Sequence, residues 1–537
     1  MTPFQGLRLW GRRAPRGERA AALLSAAVVL SLLGYVVVPA LSGGSTANGG
    51  FGGVGPAGAG QRAASAAGHA GGLKALARSG APAATPSANG STTGAAAVVT
   101  GGNVSGSVKS APAITGNSAA GSTGNGAATG KQGCTSPPGT DQGVTSRTVK
   151  VAVILVDVAG SANNTLFGTP SPDVQKQWYQ YVIDALNATG GVACRHIVAQ
   201  YFSANPLEQA SLHQTCLDVV NSQPFFVMDL GAYFLFTSEA ECYPQNHLPF
   251  VSSQLVPNAE KERYYPYLFG QAIADNVYRN AILALHQRGF FSSTNGFAKL
   301  GFIYRSCDSS VIAAMESAIA QAGIGSDQLV TFNVGCPSGF ANPADLQQAV
   351  LKFKTSGVTN VTMAEMGPDF GNFTNIAEQQ GFRPKYGLAQ DSIVPTTYSS
   401  AHGNYANIAN AIAITPDRFG EEHTPGYRPT AGTKWCNKIF AAHHVTDVYH
   451  QPDSVGGGMC DELQLFSVAL AHAPAVQRNA LAAGLAASRS IDFAFPFGPS
   501  EFTGPRPTTG GQFWRTLQFY ESCRCWRVVD RKFHPSF

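Results

Sequence analysis

The densest set of side chains able to hold a metal is His443, His444, Asp447 and His450. His443 and Asp447 stand four apart, so a helix through them would present both on one face, a spacing compatible with a bound ion. The surrounding sequence defines no further ligand, and surface or internally bonded histidines account for the same pattern. No metal is expected. The sequence has no Gly-x-Ser-x-Gly elbow, no His-Glu-x-x-His and no Gly-Lys-Ser/Thr phosphate loop. Glycines such as Gly52, Gly53 and Gly55 reflect the composition of their segment. Catalysis is not expected, and neither is a cofactor. The remaining chemistry is that of binding, from polar residues at the ends of apolar runs.

Those runs come in a regular series. An apolar stretch from Val149 to Val158 precedes an amphipathic segment from Pro172 to Leu186. The turn Asn187-Ala188-Thr189-Gly190-Gly191 leads to a second apolar run, Ile197 to Phe202, and a helical pattern from Leu207 to Asn221. Phe225-Phe226-Val227-Met228 and Leu248 to Ser253 read as the third and fourth strands. After a helical segment from Ala272 to Arg288, the run Leu300 to Tyr304 restarts the alternation. Helices are expected at 310–322, 343–356 and 370–380, with strands at 329–334, 359–364 and 385–389. A strand at 411–414, an irregular stretch, helices near 434–443 and 459–472, and a hairpin over 513–529 complete the series. Short apolar runs alternating with helix-length segments predict parallel sheets with crossover helices. Two such α/β series, each large enough for its own core, predict two doubly wound parallel-sheet lobes with a cleft between them. Ligands of such sheets lie beyond the carboxyl ends of the strands.

The first quarter of the chain differs from the rest. Residues 1–19 carry Arg8, Arg12, Arg13, Arg16 and Arg19 against Glu18 alone, and residues 20–41 carry no charge. This pattern predicts a basic cytoplasmic segment and a transmembrane signal-anchor, or a cleaved secretory signal with its cut among Pro39 to Gly43. Either way, the rest of the chain is exported. Residues 42–133 are mostly Gly, Ala, Ser, Thr and Asn, with five basic residues and no acid. Too little apolar surface is available there to offset ordering entropy, so a disordered linker is expected, spanning on average ~50–60 Å. The net charge of +4 therefore conceals an acidic domain, because residues 134–537 hold 26 basic and 31 acidic side chains. These charges are interspersed, and nucleic-acid binding is not expected.

All ten cysteines lie at or beyond Cys134, an even count that in an exported chain favours disulfides. Cys194 leads into the second strand and Cys216 sits on the helix after it, and these two are expected to pair. Cys307 and Cys336 each follow an apolar run, so they pair if those strands are neighbours. Cys436 and Cys460 bracket a Gly-rich loop and form a third expected pair. Cys134, Cys242, Cys523 and Cys525 are left unassigned.

The order of these pieces resembles the type I periplasmic solute-binding proteins, in the branch that binds leucine and other branched-chain amino acids for ABC transporters. The resemblance covers roughly residues 147–530. It rests on the opening strand VKVAVILVDVAG, the NATGG turn, the pair Cys194/Cys216, the sequence GFIYRSC and the segment AEMGPDFGNFTNIAEQQGFRPKYGLAQDS. It implies two lobes joined by three crossovers, with late residues returning to the first lobe, and a small molecule trapped between the lobes by hinge motion. It implies an ABC permease as partner, and Asp369 at the position of the acid that binds a ligand ammonium. Asp369 at the start of a helix also suits an N-cap. In the first lobe the implied ligand residues are Tyr233, Ser253 and Gln254, and in the second Asp308 and Ser309, which suit an N-cap equally. Where relatives carry serines and threonines after the third strand, this chain reads Asp229-Leu230-Gly231-Ala232-Tyr233-Phe234, which suits a flatter or more apolar ligand than an α-amino acid. The expectation is an anchored or secreted, non-enzymatic solute-binding protein for a small polar or amino-acid-like molecule. A membrane-tethered ligand sensor or envelope scaffold of the same fold is the rival reading.

Overall fold

The computed structural model describes residues 136–537 except 159, 161–163, 165–168, 230, 234–236, 253, 338, 391–403 and 446–454. The signal-anchor expected at 20–41 and the linker at 42–133 lie outside the described residues. Among the described residues, no helix is long and apolar enough to cross a membrane.

The run TVKVAVILV forms β1 (Thr148–Val156), buried on both faces from Val151 onward. It pairs in parallel with β2 (His196–Ala204) on one side and β3 (Phe226–Asp229) on the other, so it is central, as a near-continuous apolar run requires. The helix α1 (Pro172–Ala188) starts at the Ser171 cap with Pro172 in its first turn. The NATGG turn is structural. The Asn187 side chain exchanges two hydrogen bonds with Ile197 and so pins the start of β2. Gly191 has φ +77, and a Cβ there would meet the Arg195 carbonyl at 2.0 Å. The helix α2 (Gln209–Ser222) links β2 to β3, and a short α3 (Cys242–Gln245) precedes β4 (Phe250–Ser252). Next come α4 (Asn258–Tyr264) and β5 (Leu268–Gly270), giving a sheet of order β2-β1-β3-β4-β5, parallel throughout.

The second lobe opens with α5 (Ala274–Gln287) and β6 (Leu300–Tyr304). Then follow α6 (Ser309–Gln321), β7 (Leu329–Asn333), α7 (Pro343–Thr355), β8 (Asn360–Ala364), α8 (Phe370–Gln379), β9 (Lys385–Ala389) and β10 (Ile412–Thr415). Gly387 in β9 lets α5 pack close: a Cβ there would stand 2.6 Å from the Leu285 side chain of α5, which would have to shift. The chain then returns to lobe 1 as α9 (Ala431–Ala442), α10 (Val455–His472) and α11 (Leu481–Ser488), whose apolar residues share one core with α1, β1 and β3. After β11 (Ser490–Asp492) and β12 (Pro499–Glu501) it crosses back as β13 (Phe513–Tyr520), β14 (Cys525–Val528) and β15 (His534–Pro535). The second sheet has the order β14-β13-β10-β9-β8-β6-β7, with β15 on β13; its middle is parallel and β13 and β14 run antiparallel.

The two lobes are thus joined by three crossovers: residues 271–274, residues 416–430, and the stretch from β11 to β13. Buried charge holds these crossovers together. Arg515 of β13 and Arg418 both donate to Glu421, the latter at 3.4 Å, while Arg418 also pairs with Asp492 of β11. Asp492 in turn accepts from the Gly432 N–H at 3.1 Å. The Phe533 ring covers the Arg515 guanidinium at 4.4 Å. From α10, Asp461 accepts the N–H groups of Ala494, Phe495 and Phe497 at 2.6, 3.0 and 3.2 Å.

Four disulfides with both partners described are Cys216–Cys242, Cys307–Cys336, Cys436–Cys460 and Cys523–Cys525. The expected pairs Cys307–Cys336 and Cys436–Cys460 are formed. The expected Cys194–Cys216 pair is not. Cys216 lies in the face of α2 that packs on the segment after β3, which brings it to Cys242 with 6.3 Å between Cα atoms. Cys194 sits at the opposite, entry end of β2 and is bonded to none of these eight cysteines.

Removing the Glu421 carboxylate leaves two buried guanidinium groups short of a partner. Glu421→Ala should therefore lower the unfolding free energy by ~3–5 kcal/mol in urea titrations; a loss below about 1 kcal/mol would show the network to be energetically idle.

Candidate functional site

Every strand of the first sheet runs parallel, and the first crossover leaves from the carboxyl end of β5. In the second sheet the second crossover leaves from the carboxyl end of β10, which is parallel to β9. Both sheets therefore turn their carboxyl edges toward the hinge, and the loops at those edges form the candidate site.

On the lobe 1 side, Asp229 ends β3 and accepts from the Gly231 and Ala232 N–H groups at 3.2 and 2.7 Å, shaping the loop that carries Tyr233. Burial outweighs these donors and pushes its carboxyl up to about 7. Its Oδ2 has no hydrogen-bond partner. Behind it, Glu462 of α10 accepts from the Tyr179 hydroxyl at 2.6 Å and is raised well above the usual carboxylate range, by burial first and also by Asp229 and Asp461. Tyr233 itself is buried. Its hydroxyl is shared with Tyr243 at 2.7 Å and lies 3.2 Å from the Leu212 carbonyl, so it packs beneath the loop and presents no polar group to the cleft. Gln254 is half-buried, its N–H donating to the Ser252 hydroxyl at 3.1 Å. Ser253 lies outside the described residues.

On the lobe 2 side, Asp308 caps α6 by accepting from the Ser310 N–H at 2.9 Å and, more weakly, from Val311. Ser309 is exposed beside it. Asp369 is fully buried. Its carboxylate lies 3.2 Å from Arg305 Nε and accepts the Ala341 N–H at 2.8 Å. It makes no side-chain bond to the start of α8, so it is neither an exposed acid nor a capping side chain. Burial raises its carboxyl, with Arg305 and the Ala341 N–H opposing. The lobes approach one another at Glu260 of α4. Its carboxyl is pushed up to about 7 by burial first, then by Glu241 of the same lobe and by Asp308 of the other. The Asn258 N–H also donates across to the Asp275 carboxylate of α5 at 2.9 Å.

Sequence reasoning missed Gln271 and Gln390, the first residues after β5 and β9. Both are buried, yet the Gln271 amide has no partner at either atom and the Gln390 amide oxygen has none. The hydroxyls of Thr508 and Thr509, on the third crossover where it pairs with Gly270, are in the same condition. A glutamine directly after an apolar run was the signal available. Of the four side chains weighed and set aside as metal ligands, His443 stacks on Tyr181 with ring centroids 3.6 Å apart. Asp447 and His450 lie outside the described residues, and among the described residues no group of three or more His, Cys, Asp or Glu could hold a metal.

No family model matches the sequence, and no curated protein matches it. Solved structures do. A type 1 periplasmic binding protein from Bordetella pertussis matches with TM-score 0.52 at 12% identity, covering 72% of this chain and 99% of its own. An ABC transporter solute-binding protein from Rhodopseudomonas palustris, solved with 3,4-dihydroxybenzoic acid, matches with TM-score 0.51 at 14% identity, covering 73% and 97%. A second R. palustris solute-binding protein, in complex with 4-hydroxybenzoate, matches with TM-score 0.52 at 14% identity over 72% and 97%. The described part of the chain therefore has the fold of the type I periplasmic binding proteins.

Two substitutions test this geometry. Asp369→Ala leaves Arg305 buried without its carboxylate and should cost ~3–5 kcal/mol of stability, whereas Ser309→Ala should change it by less than about 0.5 kcal/mol. Equal, small losses in urea unfolding would contradict the buried pair. A carboxyl raised in the folded state stabilises the protein below its unfolded pKa and loses that contribution as pH rises through the folded value. For Asp229 the window runs from 3.8 to about 7. Asp229→Asn stays neutral, so relative to wild type it should gain up to about 4 kcal/mol as pH rises across that window. Parallel stability–pH curves for the two proteins would place the Asp229 ionisation outside the window.

Proposed function

We propose that this protein is an extracytoplasmic solute-binding protein that captures a small polar organic molecule between its lobes and presents it to an ABC permease. One observation carries the reading: two parallel sheets turn their carboxyl edges toward the same three-stranded hinge, so closure brings two sets of strand-end loops onto one solute. Gln271 and Gln390 supply amide atoms without protein partners at those edges, and buried polar groups of this kind are costly unless bonded. Gln254, Asp308 and Ser309 are proposed as further contacts from the two rims, with Ser253 beside Gln254. Tyr233 and Asp369 act by shaping the loops that hold those contacts.

The ligand class follows from the same residues. The carboxylate that would take an α-ammonium is already engaged by Arg305, so an amino acid would need a different acceptor. Solute-binding proteins of this fold from R. palustris hold hydroxybenzoates, and one from Thermomonospora curvata belongs to a fatty-acid transporter. Hydroxybenzoates are therefore the first probes, with branched-chain amino acids and fatty acids beside them.

A specific ligand at a hundred times its dissociation constant should stabilise the exported domain by ~2.7 kcal/mol in thermal unfolding. The shift should fall at least tenfold in ligand sensitivity in Gln390→Ala. Native mass spectrometry of the exported domain should show the same molecule bound. A domain that neither carries nor is stabilised by any small molecule would favour the scaffold reading, and binding without loss of uptake on gene deletion would favour a sensor.

A further inference from the structure

The hairpin of β13 and β14 ends in Cys523-Arg524-Cys525, and the two cysteines are bonded across a single residue. The other three bridges with both partners described close separations of 26, 29 and 24 residues. A bridge stabilises mainly by restricting the unfolded chain, and the effect falls with loop length, so this ring restricts the least. The hairpin does not need it for register. Four residue pairs from Leu517↔Val528 to Tyr520↔Cys525 align the strands, and Phe519 meets Trp526 edge to face at 5.5 Å. Within the ring Arg524 has φ +51, a left-handed conformation that a non-glycine side chain resists, and its N–H donates to the Glu521 carbonyl at 3.1 Å. Cys523 is exposed while Cys525 is buried, so an incoming thiol reaches the Cys523 sulfur first. Exposure alone does not single out this bridge, because Cys307 and Cys336 are exposed as well. Its short ring and its left-handed link set it apart.

We propose that Cys523–Cys525 is a thiol–disulfide exchange site that takes dithiols as its reaction partners. A thiolate of the dithiol attacks Cys523 Sγ, the bond to Cys525 breaks, and Cys525 leaves as a thiolate. The second thiol of the partner then displaces Cys523 from the mixed disulfide. The dithiol becomes a disulfide, two electrons pass to this protein, and the two protons of the dithiol end on Cys523 and Cys525. The reverse exchange with a disulfide of the same class restores the bridge. The Arg524 guanidinium stands 5.2 Å over the Tyr405 ring, and Tyr405 stacks on Phe519.

The test equilibrates the folded, full-length protein with dithiothreitol at graded reduced-to-oxidised ratios, quenches with acid, alkylates the free thiols and maps them by mass spectrometry. Cys523 and Cys525 should be alkylated together at a ratio at least tenfold below that needed for Cys307 and Cys336, with far-ultraviolet circular dichroism unchanged. Arg524→Gly, whose backbone accepts the left-handed conformation, should require severalfold more reductant to open the same bridge. Cys525→Ser should leave Cys523 to form a mixed disulfide with oxidised glutathione. Opening of all the bridges at one ratio, opening only as the dichroism is lost, or failure of Cys525→Ser to take up glutathione would each overturn the proposal.

Discussion

Two lobes can open and close around a solute only if the segments joining them behave as one unit, and here buried charge supplies that constraint. Arg515, Arg418, Glu421 and Asp492 come from β13 and from the second and third crossovers. Asp461 reaches from a lobe 1 helix to three N–H groups of the third crossover. Ions removed from water are tolerated only while every partner is in place, so such a network accepts few arrangements of its strands. Apolar packing across the hinge would be less selective, since side chains of similar volume can interchange.

Acidic groups also set the character of the site. Burial holds Asp229 and Glu462 toward the protonated form, and Glu462 is raised further by Asp229. Glu260 is raised by burial first, then by Glu241 and Asp308. Asp369 has the opposite environment, with Arg305 and a backbone N–H facing its oxygens. Chain order puts Asp229 at the end of β3, Asp369 just before α8 and Glu260 in α4. Their neighbours in space made one a loop-shaping acid, another a partner in a buried ion pair, and the third a rim group facing its own sign.

Much of the fold was legible in the sequence. The strands 300–304 and 385–389 have the observed bounds, and most helices lie within three residues of expectation. Strands buried on both faces need unbroken apolar runs and crossover helices need a 3.6-residue period, and both patterns survive without tertiary context. The pieces that escaped notice were short: α3, α4, β5, α11 and the β11–β12 pair. A three-residue strand such as Leu268–Gly270 carries too little pattern to stand out, and it exists because β4 and the third crossover pair with it. The site was less legible. Tyr233 and Asp369 were weighed as ligand residues against packing and capping; the structure gives the Tyr233 hydroxyl Tyr243 and Leu212 as partners and sets the Asp369 carboxylate beside Arg305, and the unpartnered amides of Gln271 and Gln390 went unnoticed.

The cysteines separate the two kinds of information. The sequence by itself pointed to a pair of wound lobes, to an acidic balance over residues 134–537, and to a Cys307–Cys336 bridge on condition that the strands before them are neighbours, which the pairing of β6 with β7 meets. Only the tertiary structure decided that Cys216 meets Cys242 instead of Cys194. Periodicity tells which face of a helix is apolar but not which neighbour covers it. The same limit applies to every buried polar group in the site, since a carboxylate's partners come from segments far away in sequence and only the packed lobes bring them within hydrogen-bond reach.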